Sequence, residues 1–419
     1  MAITPEEKQL IEKIPTTDLT AYDFYQRGRE QPLTFMNVNY IITPETFGAV
    51  KKAEDYYKKA IEYDSTFALA YTGLALVYIE KHNYSTSTYF TENYLDSTII
   101  FADKALSFDD KLAEAYDVRG VYYGLKGLTK KAIEEYDKAL KYNPNDWMAY
   151  IGKGDLYLDC DLVQAIINYQ KAESLIRDSN QLPLLLRKIG IAFYFAGFND
   201  KAKYYILEAS KLDEDSIQLY LYSTIIEPYQ GYFENGFEYL LKAYKIDSTN
   251  ITIIKELGFY NLCVGKYDES LTYYKKYIEK LKDRGQLPIN ESHRIGHSFW
   301  ENGYKKEANY YFDKQIEYCN NDIKYGGQYA TGKYAYYDLA GVYAFRGDRR
   351  KAYENLRIFK QKEAPSKIAD FIKIDPLFDS IRDDLEFQQI VRDLEAKYQA
   401  EHERVKKWLE EQGMLKEGQ

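Results

Sequence analysis

Gly197, Gly231 and Gly265 stand 34 residues apart, and each lies seven residues after a small one, Gly190, Thr224 and Gly258. A period of that length is too short for a domain and too long for a heptad, so it points to a two-helix unit copied along the chain. One such unit cannot bury its apolar face alone. Neighbouring copies must therefore stack, and the chain grows by layers instead of around one centre.

The unit is most complete after Leu112, where the chain reads AEAYDVRGVYYGLKGLTKKAIEEYDKALKYNPND. Gly120 and Ala132 are small where two helices must cross, and Tyr116, Tyr123 and Tyr136 fill the space between them. Pro144 stops the second helix. With Gly127 and Ala139, these are the eight positions that mark a tetratricopeptide repeat, and the stretch closely resembles that family. The next copy keeps Tyr150, Gly154, Tyr157, Ala165, Tyr169 and Ala172, and another begins with Gly190, Phe193, Gly197, Ala202 and Ala209.

Followed in this register, repeats fall near 21–65, 68–110, 113–146, 147–180, 183–216, 217–250, 251–284, 289–322 and 333–366. Polar insertions interrupt the first two, at Asn37 to Thr46 and His82 to Tyr94, and the stretch Cys319 to Thr331 loosens the join before the last copy. The expectation is an all-α, right-handed α-solenoid of about nine repeats. It divides into a lead-in over 1–20, the repeat array over 21–366 and a C-terminal capping segment over 367–419.

In that last segment Asp375 and Pro376 read as a helix cap and first-turn proline. Leu377, Phe378, Ile381, Leu385, Phe387, Ile390, Val391 and Leu394 supply an apolar cover for the final repeat. From Glu395 to Gln412 the charges fall on most faces, with Trp408 and Leu409 the main exceptions, as in a solvated capping helix.

The 45 tyrosines sit mainly at interhelical positions, where an aromatic body packs and its hydroxyl stays at the rim. They are no sign of a binding face. A net charge of −9 disfavours nucleic acid, which needs clustered Lys and Arg. Cys160, Cys263 and Cys319 lie in separate repeats without CxxC spacing, so neither a disulfide framework nor a zinc knuckle is expected. No apolar run reaches membrane-spanning length, and MAITPEEKQL lacks the core of a signal peptide. The expected location is cytoplasmic, or periplasmic if a leader or anchor has been removed.

The two ends carry a narrower resemblance. LTAYDFYQRGRE followed by KKAEDYYKKAIEYDSTFALAYTGLALVY is similar to the start of the repeat region in bacterial multidomain regulators that carry TolB-like, cyclase or DNA-binding segments. The stretch IDPLFDSIRDDLEFQQIVRDLE is similar to the close of those arrays. The resemblance implies a sensory or partner-binding half of a signalling system. The sequence upstream of Tyr22 is too short for an effector domain, which implies a fragment or a stand-alone relative.

Catalytic signals are few. GQYATGKY, from Gly327 to Tyr334, matches P-loop spacing but puts Tyr334 where Ser or Thr must reach magnesium, and no strand pattern precedes it. It reads as a loop. His293 and His297 share a helix face with Trp300 one turn on, but no third metal ligand is evident. No enzyme, cofactor or metal is expected.

Family geometry implies that the first helix of each repeat lines a concave groove. Its groove positions are Glu114, Asp117 and Asp155 early, then Arg187, Lys188, Lys255, Asn290, His293, Arg294, His297, Trp300, Tyr334 and Tyr337. The later strip is basic and aromatic, matching an acidic peptide with apolar anchors. The positions of a chaperone carboxylate clamp hold Thr72, Leu76, Val118, Met148 and Gly152, so that role is disfavoured. The expected function is a non-enzymatic protein- or peptide-binding scaffold. The alternative is a small-ligand or metal sensor, or an enzyme, around His293, His297 and Trp300.

Overall fold

The computed structural model describes residues 15–31, 44–83, 94–177, 180–226, 233–284, 286–288, 291–325, 334–362 and 368–415. Gly231, Asn290, Gly327 to Lys333 and most of both insertions lie outside the described residues.

Among the described residues, nine helix pairs fall at the positions expected for the repeats. They are α1 (Leu19–Arg29) with α2 (Pro44–Tyr63), α3 (Ala68–Asn83) with α4 (Leu95–Phe108), and α5 (Ala113–Leu125) with α6 (Thr129–Tyr142). Next come α7 (Trp147–Leu158) with α8 (Leu162–Leu175), α9 (Leu182–Phe195) with α10 (Asn199–Asp213), and α11 (Ser216–Ile226) with α12 (Phe233–Ile246). The last three are α13 (Ile251–Cys263) with α14 (Tyr267–Asp283), α15 (Ser292–Glu301) with α16 (Lys305–Tyr325), and α17 (Tyr334–Phe345) with α18 (Arg349–Lys362). A short α19 (Ile368–Ile374), a 3₁₀ turn over Pro376–Ile381 and a long α20 (Leu385–Glu411) complete the chain. No strand occurs among the described residues, and the fold is an all-α repeat solenoid.

The repeated glycines have two distinct causes. At the turn inside a pair, Gly127, Gly197, Gly265, Gly303 and Gly347 adopt φ between 69° and 86°, the left-handed region. The following amide then reaches back, as in Phe198 N to Phe193 O at 2.8 Å and Lys266 N to Asn261 O at 2.8 Å, closing the first helix. Within the first helix the glycine makes room instead. A Cβ on Gly120 would lie 2.8 Å from the Tyr136 ring, and one on Gly258 would lie 3.1 Å from Tyr274. The tyrosine of the second helix therefore rests directly on the backbone of the first.

Starts are capped where the sequence supplies a short acceptor. Asp18 accepts from Thr20 N and Ala21 N, Asp161 from Gln164 N, and Asn250 from Thr252 N and Ile253 N. The stretch from Cys319, expected as a loosened join, stays helical to Tyr325 because α16 continues through it.

The contacts divide the chain into two compact units, one of residues 1–124 with 128–149 and one of 125–127 with 150–419. In the first unit, Tyr25, Tyr57, Phe67, Leu74 and Val77 form a core between α1, α2 and α3. In the second, Phe259, Tyr337, Phe359, Phe371, Phe378 and Phe387 belong to one large core. That core joins α13, α17 and α18 to α19, the 3₁₀ turn and α20.

Two expectations about the closing segment change. Leu385 covers nothing, being 87% exposed at the start of α20, whereas Phe378 and Phe387 are fully buried. The half of α20 beyond Glu395 is not merely solvated: Val405 and Leu409 are buried, and this half docks on α8, α9 and α10 of the same unit. Glu401 accepts from Leu162 N at 2.9 Å, Arg404 pairs with Asp161 at 2.6 Å, and His402 meets the Ala196 carbonyl at 2.7 Å while stacking on Phe198. Lys201 donates to Met414 O at 3.0 Å. A helix of 27 residues is about 40 Å long, enough to run from the last repeat back to the fourth and fifth.

Candidate binding surfaces

The groove positions of α13, α15 and α17 are filled by the chain itself. Tyr337 donates to Asp375 Oδ2 at 2.9 Å, and its ring lies 5.3 Å from Phe378 and 6.1 Å from Phe371. Phe371 also packs on Phe259 of α13 at 5.7 Å. A Cβ on Gly341, one turn after Tyr337, would meet Leu377 at 3.1 Å, and Ser380 donates to the Ala344 carbonyl at 2.7 Å. Arg382 ties the segment together by donating to the carbonyls of Ile372, Lys373 and Asp375. Asp375 remains the expected cap, but of a 3₁₀ turn, accepting from Leu377 N.

The cations expected to form a basic strip are each neutralised internally. Arg187 is buried with Nη2 2.7 Å from Asp213, a charge contact not aligned as a hydrogen bond. Lys188 Nζ donates to both oxygens of Asp155, at 2.8 and 2.9 Å. Lys255 lies 3.0 Å from Glu256 and 3.5 Å from Glu291, and these acids, Glu256 foremost, hold its ammonium above the ordinary lysine range. Arg294 lies 3.1 Å from Glu291, with its guanidinium 4.2 Å over the Phe259 ring and 5.6 Å over Phe371. Burial alone would raise the Glu291 carboxyl, but Arg294 and then Lys255 bring it down to about 2.

The two histidines are core residues. His293 meets Gln315 Oε1 at 3.2 Å through Nδ1, and Gln315 passes the network on to Asp338 at 2.9 Å. Burial, followed by the charge of Arg294, lowers His293 to about 3. His297 sits 4.6 Å from the Phe345 ring, and burial lowers it to about 4 against the opposing charge of Asp379. Both imidazoles are neutral at physiological pH. Trp300 is half-buried, edge-on to Phe345 at 5.7 Å with Lys305 3.7 Å over its ring. Tyr334, 42% exposed, begins α17, while Tyr337 is buried. Among the described residues no group of three His, Cys, Asp or Glu could hold a metal.

The first unit presents a different chemistry. Both Asp117 oxygens on α5 are buried without a donor, although the residue keeps some exposed surface elsewhere. Burial, then the neighbouring Asp146 carboxylate, pushes the Asp117 carboxyl well above its usual range. Asp146 is committed through Oδ1 to Met148 N and Ala149 N at 3.1 and 3.3 Å.

The sequence reading missed the groove-filling segment and the docking of α20. A signal existed for each: the apolar pair Phe371 and Ile372 in a supposed connection, and Val405 with Leu409 at helical spacing amid charge.

A model of the tetratricopeptide repeat family matches residues 113–146. A TPR repeat-containing protein of Methanocaldococcus jannaschii is 27% identical over 199 residues, 42% of this chain and 33% of that protein. The BBSome complex member BBS4 of Bos taurus is 27% identical over 154 residues, 36% of this chain and 28% of that protein. The chain thus spans about a third of the length of these curated relatives. Among solved structures, the Cut9 and Hcn1 hetero-tetramer of the APC/C covers 92% of this chain and 78% of its own at 13% identity and a TM-score of 0.41. YrrB, described as having an unusual peptide-binding site, covers 47% and 95% at 23% identity and a TM-score of 0.33. That match, with the left-handed glycine turn recurring in five of the described helix pairs, makes the array similar to tetratricopeptide repeats.

Proposed function

We propose that the chain is a protein- or peptide-binding scaffold. Tetratricopeptide proteins serve as such scaffolds, and the fold is typically non-enzymatic. The observation that carries the reading here is exposed apolar surface on the packed array. Tyr204, Leu207 and Leu212 of α10 are 58%, 45% and 52% exposed on a helix otherwise held in the stack.

This reading departs from an acidic ligand on the late strip. Each cation named there already has a carboxylate, and the chain's own Phe371 to Ile381 occupies the adjoining groove. A partner would have to displace buried aromatics to reach it. Membership of a bacterial signalling system is the finer reading, supported by the likeness of the opening and closing stretches to those arrays.

Affinity capture on the full chain, followed by mass spectrometry, tests the scaffold reading. A partner retained by the wild type and lost from a Tyr204→Ser/Leu212→Ser variant of unchanged helicity is expected. Capture indistinguishable from that on an unrelated helical protein would refute it, and a partner outside signalling would remove the finer part alone.

A further inference from the structure

Between α8, α9 and α10 lies a cleft of about 270 Å³, walled by Leu182, Leu186, Tyr204, Tyr205 and Leu212. That volume falls just under the range of about 300–1,000 Å³ typical of small-molecule sites, and suits one long side chain. Its polar groups are Glu173, Glu208 and Lys211. Glu208 and Lys211 satisfy each other at 2.6 Å, which leaves Glu173 as the uncommitted charge. Among the described residues no cation or hydrogen-bond donor meets the Glu173 carboxylate.

Burial is the one cause acting on that carboxyl, and it raises the group above its ordinary range. An acid half-removed from water without a counter-charge is a cost to the folded protein, and a cation supplied from outside would remove it. Tyr205 is held in place by stacking on Phe193 at 5.5 Å, with Tyr204 edge-on to it at 5.3 Å. Two tyrosine rings and three leucines can cover an aliphatic stem, while the rings and the carboxylate attract its charged end. An acidic side chain would meet Glu173 and Glu208. A purely apolar one would desolvate Glu173 further.

We propose that this cleft, walled by the second helices of the fourth and fifth repeats and by Leu182 and Leu186 of α9, binds a lysine or arginine side chain flanked by apolar residues on a partner protein. The site is separate from the groove lined by the first helices. It goes beyond the scaffold reading by naming its ligand chemistry.

The test uses the full chain and two fluorescein-labelled peptides in a Ser-Gly background, one with Leu-Arg-Leu at its centre and one with Leu-Glu-Leu. Fluorescence anisotropy is expected to show saturable binding of the arginine peptide alone, weakened about tenfold by Glu173→Gln and by Leu212→Ala. Circular dichroism checks that both variants keep their helicity. Equal binding of the two peptides, binding indifferent to Glu173→Gln, or no binding at millimolar peptide would each overturn the proposal. Binding that emerges only after truncation beyond Leu415 would show the chain's own end as the occupant and overturn it too. Because Tyr204 and Leu212 also carry the scaffold reading, the two part by outcome: a captured partner lost from Tyr204→Ser/Leu212→Ser but kept by Glu173→Gln leaves the scaffold standing and overturns this ligand chemistry alone.

Discussion

Phe378→Ala should cost the second unit about 3–5 kcal/mol, the range for removing a fully buried phenylalanine. The upper part of that range applies because the ring has little room to be replaced. It is fully buried, lies 5.3 Å from Tyr337 and 5.6 Å from Phe387, and is fixed by a turn whose Ser380 bonds the Ala344 carbonyl. A stack of repeats does not unfold as one two-state body, so a urea midpoint alone is insufficient. Hydrogen exchange by mass spectrometry over Tyr334–Phe345 reads the loss locally, and amides there should exchange faster by at least tenfold, equivalent to about 1.4 kcal/mol. Leu385→Ala is the control. Its side chain is 87% exposed a few residues away and should shift stability by no more than about 0.5 kcal/mol. If Phe378→Ala matches that control in both exchange and urea titration, the segment does not occupy the groove.

Four further outcomes are expected. Asp117→Asn should stabilise the first unit at neutral pH by about 1–3 kcal/mol, since an amide can donate to Asp146 where a carboxylate cannot. Its advantage should shrink in urea titrations as pH falls through the raised Asp117 value, because the wild type then takes up the missing proton; an advantage that grows on acidification refutes the assignment. His293 has the opposite consequence: with its folded value near 3, stability should fall by about 1.4 kcal/mol per unit as pH drops below the unfolded value near 6.5, and His293→Gln should flatten that slope. Gly190→Leu and Gly258→Leu should each cost about 3 kcal/mol by thermal melting, as a Cβ already meets Ile206 at 2.9 Å or Tyr274 at 3.1 Å; unchanged melting in both would remove the register. Metal analysis of purified protein should find no stoichiometric ion, and one equivalent lost on His293→Ala/His297→Ala would show a site that the geometry conceals.

The repeat register was legible because its signals are local and recur. Gly120 against Tyr136 and the left-handed Gly197 and Gly265 encode one pair each, and the period multiplies them. The groove was legible only by family geometry, and what fills it was not. Phe371 packs against Phe259, 112 positions earlier in the chain, and nothing in either neighbourhood names the other. The charges misled for a related reason. Arg187, Lys188, Lys255 and Arg294 look like a strip when the cations are read alone, but Asp213 reaches Arg187 from the paired second helix, Asp155 reaches Lys188 from the preceding repeat, Glu256 adjoins Lys255, and Glu291 lies three residues before Arg294. Buried histidines are similarly ambiguous: spacing gives His293 and His297 one face, while Gln315 and Phe345 decide that the face is interior.

The docking of α20 changes how this chain must be made. The amide of Leu162 receives its partner from Glu401, 239 residues later, so the fourth and fifth repeats emerge from the ribosome roughly ten to fifty seconds before their cover at 5–20 residues per second. During synthesis they resemble an ordinary open array, able to fray from a free edge. Emergence of α20 then adds one long-range clasp whose loop entropy must be overcome late in folding. Once closed, the one helix touches both the last repeat and the fourth and fifth, so a pull on either end of the unit is shared with the other through α20.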